Sequence, residues 1–164
     1  MTYSPPLEIF DRPTTPLIIT RSFPGRYDSL ASIGDFVRGM SEKAGLDTFA
    51  VYTVEMAVDE ACSNIIEHAY QGEDVGPISC TCKISNDGLT IILEDEGRPF
   101  DPKTVAPPDL TSSLEDRPTH GLGLHFIRQW MDEVRYEFQP GRGNRLTLYK
   151  KRPPAIKKNN TRKR

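Results

Sequence analysis

Glu60 and Asn64 stand four residues apart in VDEACSNIIEHAY (58–70), a stretch rich in small apolar residues. That spacing places both side chains on one stripe of a helix. A carboxylate there can take a proton from an attacking hydroxyl or water. An amide oxygen suits a hard cation such as Mg²⁺, which keeps several waters and leans on phosphate oxygens. Further along, Asp95 ends a strand-like run, LTIILED, and Gly97 follows it. A carboxylate held at that point can accept from an exocyclic amine such as that of adenine, and the glycine lets a base approach the backbone. In THGLGL, Gly121 and Gly123 open a helical segment. Its first N–H groups have no internal partners and face an incoming anion with the positive end of the helix dipole. No GK[ST] follows, so this is not a phosphate loop of the Walker type.

Each signal alone has an ordinary reading. Glu60 is then an exposed helix acid, Asn64 a buried amide with backbone partners, and the D-x-G and G-x-G motifs are tight turns. Around Glu60 and Asn64, however, the helix divides into two stripes. Val51, Val54, Val58, Ala61 and Ile65 recur at three- and four-residue intervals, as a core face does. The second stripe runs through Thr53, Ala57, Glu60, Asn64 and His68. A solvent face would favour Lys, Glu and Gln, so these small and neutral residues fit a face lining a cavity or a plain boundary.

The elements that must position these groups follow from local signals. LIITRSF (17–23) reads as a strand, and a helix follows from about Ser29 to Gly45. Asp47 caps the long helix, and GEDVGP breaks it. Two strands, 78–85 and 89–95, are joined by the Asn86–Asp87–Gly88 hairpin signal. A proline-rich stretch, 96–119, precedes a helix over GLGLHFIRQWMDEV, and VRYEFQ and RLTLYKK form a closing hairpin about PGRGN. The order predicts an α+β fold, with helices on one face of a mixed, largely antiparallel sheet. A long loop flanked by two glycine motifs reads as a lid over a ligand.

Composition sets the frame. The 164 residues are 37% hydrophobic and 27% charged, which is a soluble globular balance. No run approaches the roughly 18 apolar residues of a membrane helix, and MTYSPPLEIFDRPTTP has no secretory pattern. Cys62, Cys80 and Cys82 lack metal-ligand spacing and read as small core residues in a reducing cytoplasm. Eight of the 21 Lys and Arg lie in 150–164, leaving 13 basic against 23 acidic residues, a formal −10, in 1–149. The body therefore has the wrong sign for phosphate-backbone binding. Residues 1–16 are expected to be a flexible arm and 152–164 a disordered basic tail.

Taken together, E-x-x-x-N-x-x-x-H-A-Y, then D-x-G-x-P-F-D-P, then a lid (about 102–119), then H-G-L-G-L occur in one order along the chain. This combination resembles the ATPase domain shared by histidine kinases, Hsp90, gyrase and the mismatch-repair proteins. Within that group it is most similar to the bacterial anti-sigma-factor serine kinases. The resemblance runs from about Ile18 to Lys150 and implies a two-layer α/β sandwich over 17–151. It implies ATP or ADP with Mg²⁺ as cofactors, Asn64 on the metal and Glu60 as the catalytic general base. It sets Asp95 on the adenine amine, Gly97 beneath the base, and Gly121, Leu122 and Gly123 at the lid's hinge, where amides meet phosphates. Phe100, Thr119, His120, Leu124 and Asn144 complete the implied cofactor site. Two positions depart from the pattern: Asn144 stands where relatives often have Thr, and Thr119 where some have Arg, with Arg117 the nearest substitute. His68 reads as structural.

The activity so implied is transfer of the γ-phosphoryl group to a serine or threonine of a small antagonist of the anti-anti-sigma kind. Sequestration of a sigma factor and a homodimeric assembly belong to the same resemblance, with no direct role for nucleic acid or membrane. The alternatives are a non-catalytic ATP-binding partner-switch module, in which nucleotide is a structural ligand, and an ATPase that hydrolyses.

Overall fold

The computed structural model describes residues 15–104, 111 and 122–154. Most of the expected arm, lid and tail lie outside these residues, as do Thr119, His120 and Gly121.

Five strands form one sheet in the order β1-β2-β3-β5-β4: β1 (Leu17–Pro24), β2 (Pro77–Ile84), β3 (Gly88–Asp95), β4 (Glu133–Gln139) and β5 (Gly143–Lys151). All four described pairings are antiparallel. Three helices pack on the sheet: α1 (Leu30–Lys43), α2 (Thr48–Asn64) and α3 (Leu122–Trp130). The expected α+β architecture is the one observed.

Local chemistry explains the boundaries. Asp47 has extended backbone and its carboxylate accepts from Ala50 N–H at 2.8 Å, so it caps α2 as the sequence predicts. Past the end of α1, Gly45 has φ +76°, and Leu46 N–H reaches back to Ser41 O. The core stripe holds as well: Val51, Val54, Val58, Ala61 and Ile65 are all buried against α1 and the inner faces of β2, β3 and β5. Cys62, Cys80 and Cys82 are free thiols fully inside that core.

Two expectations need correcting. The last helix does not extend through Val134 but ends at Trp130. Asp132 N–H bonds Tyr149 O, and Asp132 Oδ2 accepts from Lys151 N–H, so pairing with β5 takes the chain into β4 at Glu133. The long helix also changes character after Asn64, where Ile65–Ala69 winds as a π-helical turn closed by Tyr70 N–H to Ile65 O. The wider turn breaks the stripe that the sequence carried on to His68, which now lies exposed beside Glu67.

Candidate functional site

Asp95 is the last residue of β3 and lies opposite Asn144 at the start of β5. Gly143 makes that pairing possible. It has φ +100°, and a side chain there would collide with the Asp95 carbonyl. Asp95 Oδ1 accepts from Gly97 N–H at 2.8 Å and from Asn144 Nδ2 at 2.9 Å. Among the described residues, Oδ2 has no hydrogen-bond partner. Burial pushes the Asp95 carboxyl above the usual carboxylate range, while the Asn144 and Gly97 bonds pull it partly back.

Asn144 does more than hold Asp95. Nδ2 also donates to Arg98 O at 2.7 Å, and Oδ1 accepts from Phe100 N–H at 2.9 Å. One amide therefore ties the carboxylate to the segment carrying Gly97 and Phe100, a set of bonds that a threonine hydroxyl could not match.

Two further residues fix this segment, and sequence reasoning missed the first. The Tyr70 hydroxyl donates to Pro77 O and accepts from Glu96 N–H at 3.0 Å, linking the end of the π turn to both neighbouring strands. Its ring lies over Gly76, where a Cβ would be 2.7 Å from the hydroxyl oxygen. The signal was the Tyr of HAY, read only as part of a motif. Gly97 packs on Ala69: a Cβ there would lie 2.6 Å from the Ala69 carbonyl carbon and oxygen, and Arg98 N–H bonds Ala69 O. This glycine is needed for packing whether or not a base lies above it.

Asn64, Asp95 and Asn144 all line one small cavity. Its walls are otherwise apolar, lined by Ala61, Ile65 and Ala69 from the long helix and its π turn, Leu146 from β5, and the rings of Phe100 and Tyr136. Those two rings sit with centroids 5.6 Å apart. An apolar slot with a few convergent polar groups is the usual form of a small-molecule site. Tyr136 was also missed. It shares the inward-facing alternation of β4 with Val134, and burial drives its phenol well above the ordinary range.

Glu60 and Asn64 are half-buried, one helical turn apart. Thr53 and Ala57 on their stripe are fully buried, so the stripe leaves the core just where the two polar residues begin. Among the described residues, neither side chain makes a hydrogen bond or ion pair. The backbone partners of a structural Asn64 are thus not found. Burial raises the Glu60 carboxyl above its usual range, the acids Glu67 and Asp59 add to this, and His68 opposes them. Glu60 lies against Gly123 in the first turn of α3, where any Cβ would overlap its carboxylate.

Of the remaining expected site residues, Leu122 begins α3, and Leu124 is buried away from the cavity lining. No group of three His, Cys, Asp or Glu suited to a metal occurs among the described residues. A cation at Asn64 would take its other ligands from phosphate and water, as Mg²⁺ commonly does. No helix there is long and apolar enough to cross a membrane.

Residues 23–150 match the family model of the histidine kinase-like ATPase domain. A serine-protein kinase RsbW of Bacillus cereus is 31% identical over 135 residues, spanning 80% of this chain and 84% of the relative. The same figures hold for the serine-protein kinase RsbW of Bacillus thuringiensis subsp. konkukian. Among solved structures, the RsbU and RsbW domains of a Mycobacterium tuberculosis protein superpose with a TM-score of 0.58 at 21% identity. That match covers 86% of this chain and 34% of the longer one, and it supports the fold.

Proposed function

The chain belongs to the histidine kinase-like ATPase domain family, and on that premise we propose that it is an ATP- and Mg²⁺-dependent serine/threonine protein kinase of the anti-sigma type. Its substrate in this reading is a small antagonist protein, and a sigma factor is a further partner. Asp95 would accept from the amine of adenine through Oδ2, with Oδ1 already held by Gly97 and Asn144. Asn64 would hold the cation. Bound Mg²⁺-ATP would supply the phosphoryl group, and its cation would offset the charge that develops on that group, which accounts for much of such catalysis.

The observation that carries the reading is Glu60. It is half-buried, raised in pKa, without a hydrogen bond among the described residues, one turn from Asn64 and beside the start of α3. A structural carboxylate would have a partner, and a passive nucleotide module has no need of a base there. Glu60 would orient the acceptor hydroxyl and take its proton as the oxygen bonds to phosphorus and ADP departs.

The test is incubation of the pure protein with γ-labelled ATP and the antagonist-domain proteins of its own genome. A labelled serine or threonine is expected. Tight ATP binding with no labelled protein would leave the partner-switch module standing instead.

A further inference from the structure

Helices α2 and α3 both cover the sheet, yet their outward positions carry large apolar side chains beside the exposed Asp59, Arg128 and Gln129. On α2, Phe49 is 74% exposed, Tyr52 56% and Met56 37%. On α3, Phe126 is 38% exposed and stacks on Trp130 at 5.2 Å. Single exposed apolar residues are ordinary, but three at i, i+3 and i+7 form a stripe. The outward positions of α1 are polar or small, among them Asp35, Arg38, Glu42 and Lys43. Among these three helices, the large exposed apolar side chains therefore lie on α2 and its α3 neighbour; Leu17, Ile18, Tyr27, Val75 and Phe138 are exposed elsewhere.

The stripe also has a direction. Glu60 is four residues past Met56 and falls on the same side of the helix. From Phe49 to Glu60 the rise is about 16 Å, so an object seated on the stripe reaches the carboxylate a little over two helical turns from Tyr52. Where the stripe meets Glu60, the surface turns acidic: Asp59 and Glu67 are exposed, and both act electrostatically on Glu60.

We infer that this face of α2, with Phe126 of the neighbouring α3, is the docking surface of the phosphoacceptor protein. The inference rests on the kinase reading above. The acceptor would present an apolar patch, a serine or threonine hydroxyl at its border, and a basic side chain near that hydroxyl to meet Asp59 and Glu67. A second copy of this chain is the poorer occupant. A symmetric pair on this face would set one acidic border against another and cover both Glu60 residues.

The experiment takes the full chain and the protein that wild type labels, and measures KM for that protein, kcat, ATP affinity and mass in solution. Variants are Phe49→Ser, Tyr52→Ser, the pair together, and Asp59→Lys. All three positions are exposed, so the variants should fold. The double variant should raise KM at least tenfold, as loss of central aromatic contacts does, with kcat and ATP affinity within twofold of wild type. Asp59→Lys should raise KM and flatten its dependence on salt. A KM within twofold for the double variant overturns the inference while leaving the kinase reading intact. A change of oligomeric mass without a change in KM gives the face to a second copy. If wild type labels no protein, the kinase reading fails first, and this docking surface falls with it.

Discussion

Gly123 sits so close to Glu60 that a methyl group on its Cα would occupy the space of the Glu60 carboxylate. The second glycine of HGLGL therefore has a role beyond opening a helix. It lets α3 start against the one half-buried acid of α2 that lacks a partner among the described residues, and so fixes where that acid can point.

Gly123→Ala should accordingly act through Glu60. A glutamate side chain can rotate aside, so the stability loss should stay near 1 kcal/mol, the order of a displaced rotamer. Phosphoryl transfer should fall far more, because the carboxylate leaves its position. In a Glu60→Ala background the same change should cost no further activity, since the two act as a unit. Transfer rates for the four proteins of the cycle decide this. Losses that multiply would show that Gly123 acts independently of Glu60.

Asp95 gives a pH signature with a definite sign. Its folded pKa is raised by burial. Its contribution to stability is thus fully present below the unfolded value, about 3.9, and is lost as pH rises through the folded value. At neutral pH the buried charge is a cost, one that Asp95→Asn removes while its amide oxygen can still accept from Gly97 and Asn144. The variant should gain on wild type as pH rises from about 4 to 7 in thermal melts without ligand. With Mg²⁺-ATP at one hundred times the wild-type Kd, wild type should gain about 2.7 kcal/mol and Asp95→Asn very little. A wild type that gains on the variant as pH rises would contradict the assignment.

Asn144→Ala removes the bonds to Asp95, Arg98 and Phe100 together. Expected losses are about 1–3 kcal/mol of stability and a marked drop in nucleotide affinity, as the segment carrying Gly97 and Phe100 loosens. Tyr70→Phe should lower stability by a similar amount through Pro77 O and Glu96 N–H. Chemical denaturation with and without nucleotide separates these effects. Unchanged affinity in Asn144→Ala would mean that the latch does not shape the site.

How far the sequence foretold this depended on the range of the force involved. The Asp47 cap, the core stripe of α2 and the hairpin at Asn86–Asp87–Gly88 are set by neighbours in sequence, and each formed as read. The end of α3 was misplaced because MDEV continues a helical pattern, while pairing of Val134 with Leu148 outweighs it. The π turn was hidden for a similar reason: nothing in IIEHA departs from helical spacing, and the wider turn accompanies the Tyr70 and Ala69 contacts made far along the chain. The cavity-lining reading of the second stripe applied only to its last turn, since Thr53 and Ala57 pack into the core. Asn144 was noticed as a departure from relatives, but its three partners became visible only once β5 lay beside β3.

Glu60 and Asn64 share a helix stripe but have different neighbours, so their substitutions should fail differently. Asn64 faces the cavity with Asp95. Asn64→Ala should weaken nucleotide binding in Mg²⁺ and leave the weaker Mg²⁺-free binding as it was. Glu60 faces α3, away from the Asp95 end of the slot. Glu60→Gln should leave nucleotide affinity nearly intact and slow transfer by about 10²–10⁴, the usual worth of a positioned base. Because burial raises the Glu60 pKa, transfer by wild type should decline as pH falls through a value above the ordinary glutamate range. That acidic limb should vanish in Glu60→Gln. Both variants should fold, since neither residue belongs to the buried stripe of Val54, Val58, Ala61 and Ile65. Paired measurements of nucleotide affinity and labelled acceptor across pH 5 to 8 give the answer. An acidic limb that survives in Glu60→Gln would assign the base to another residue.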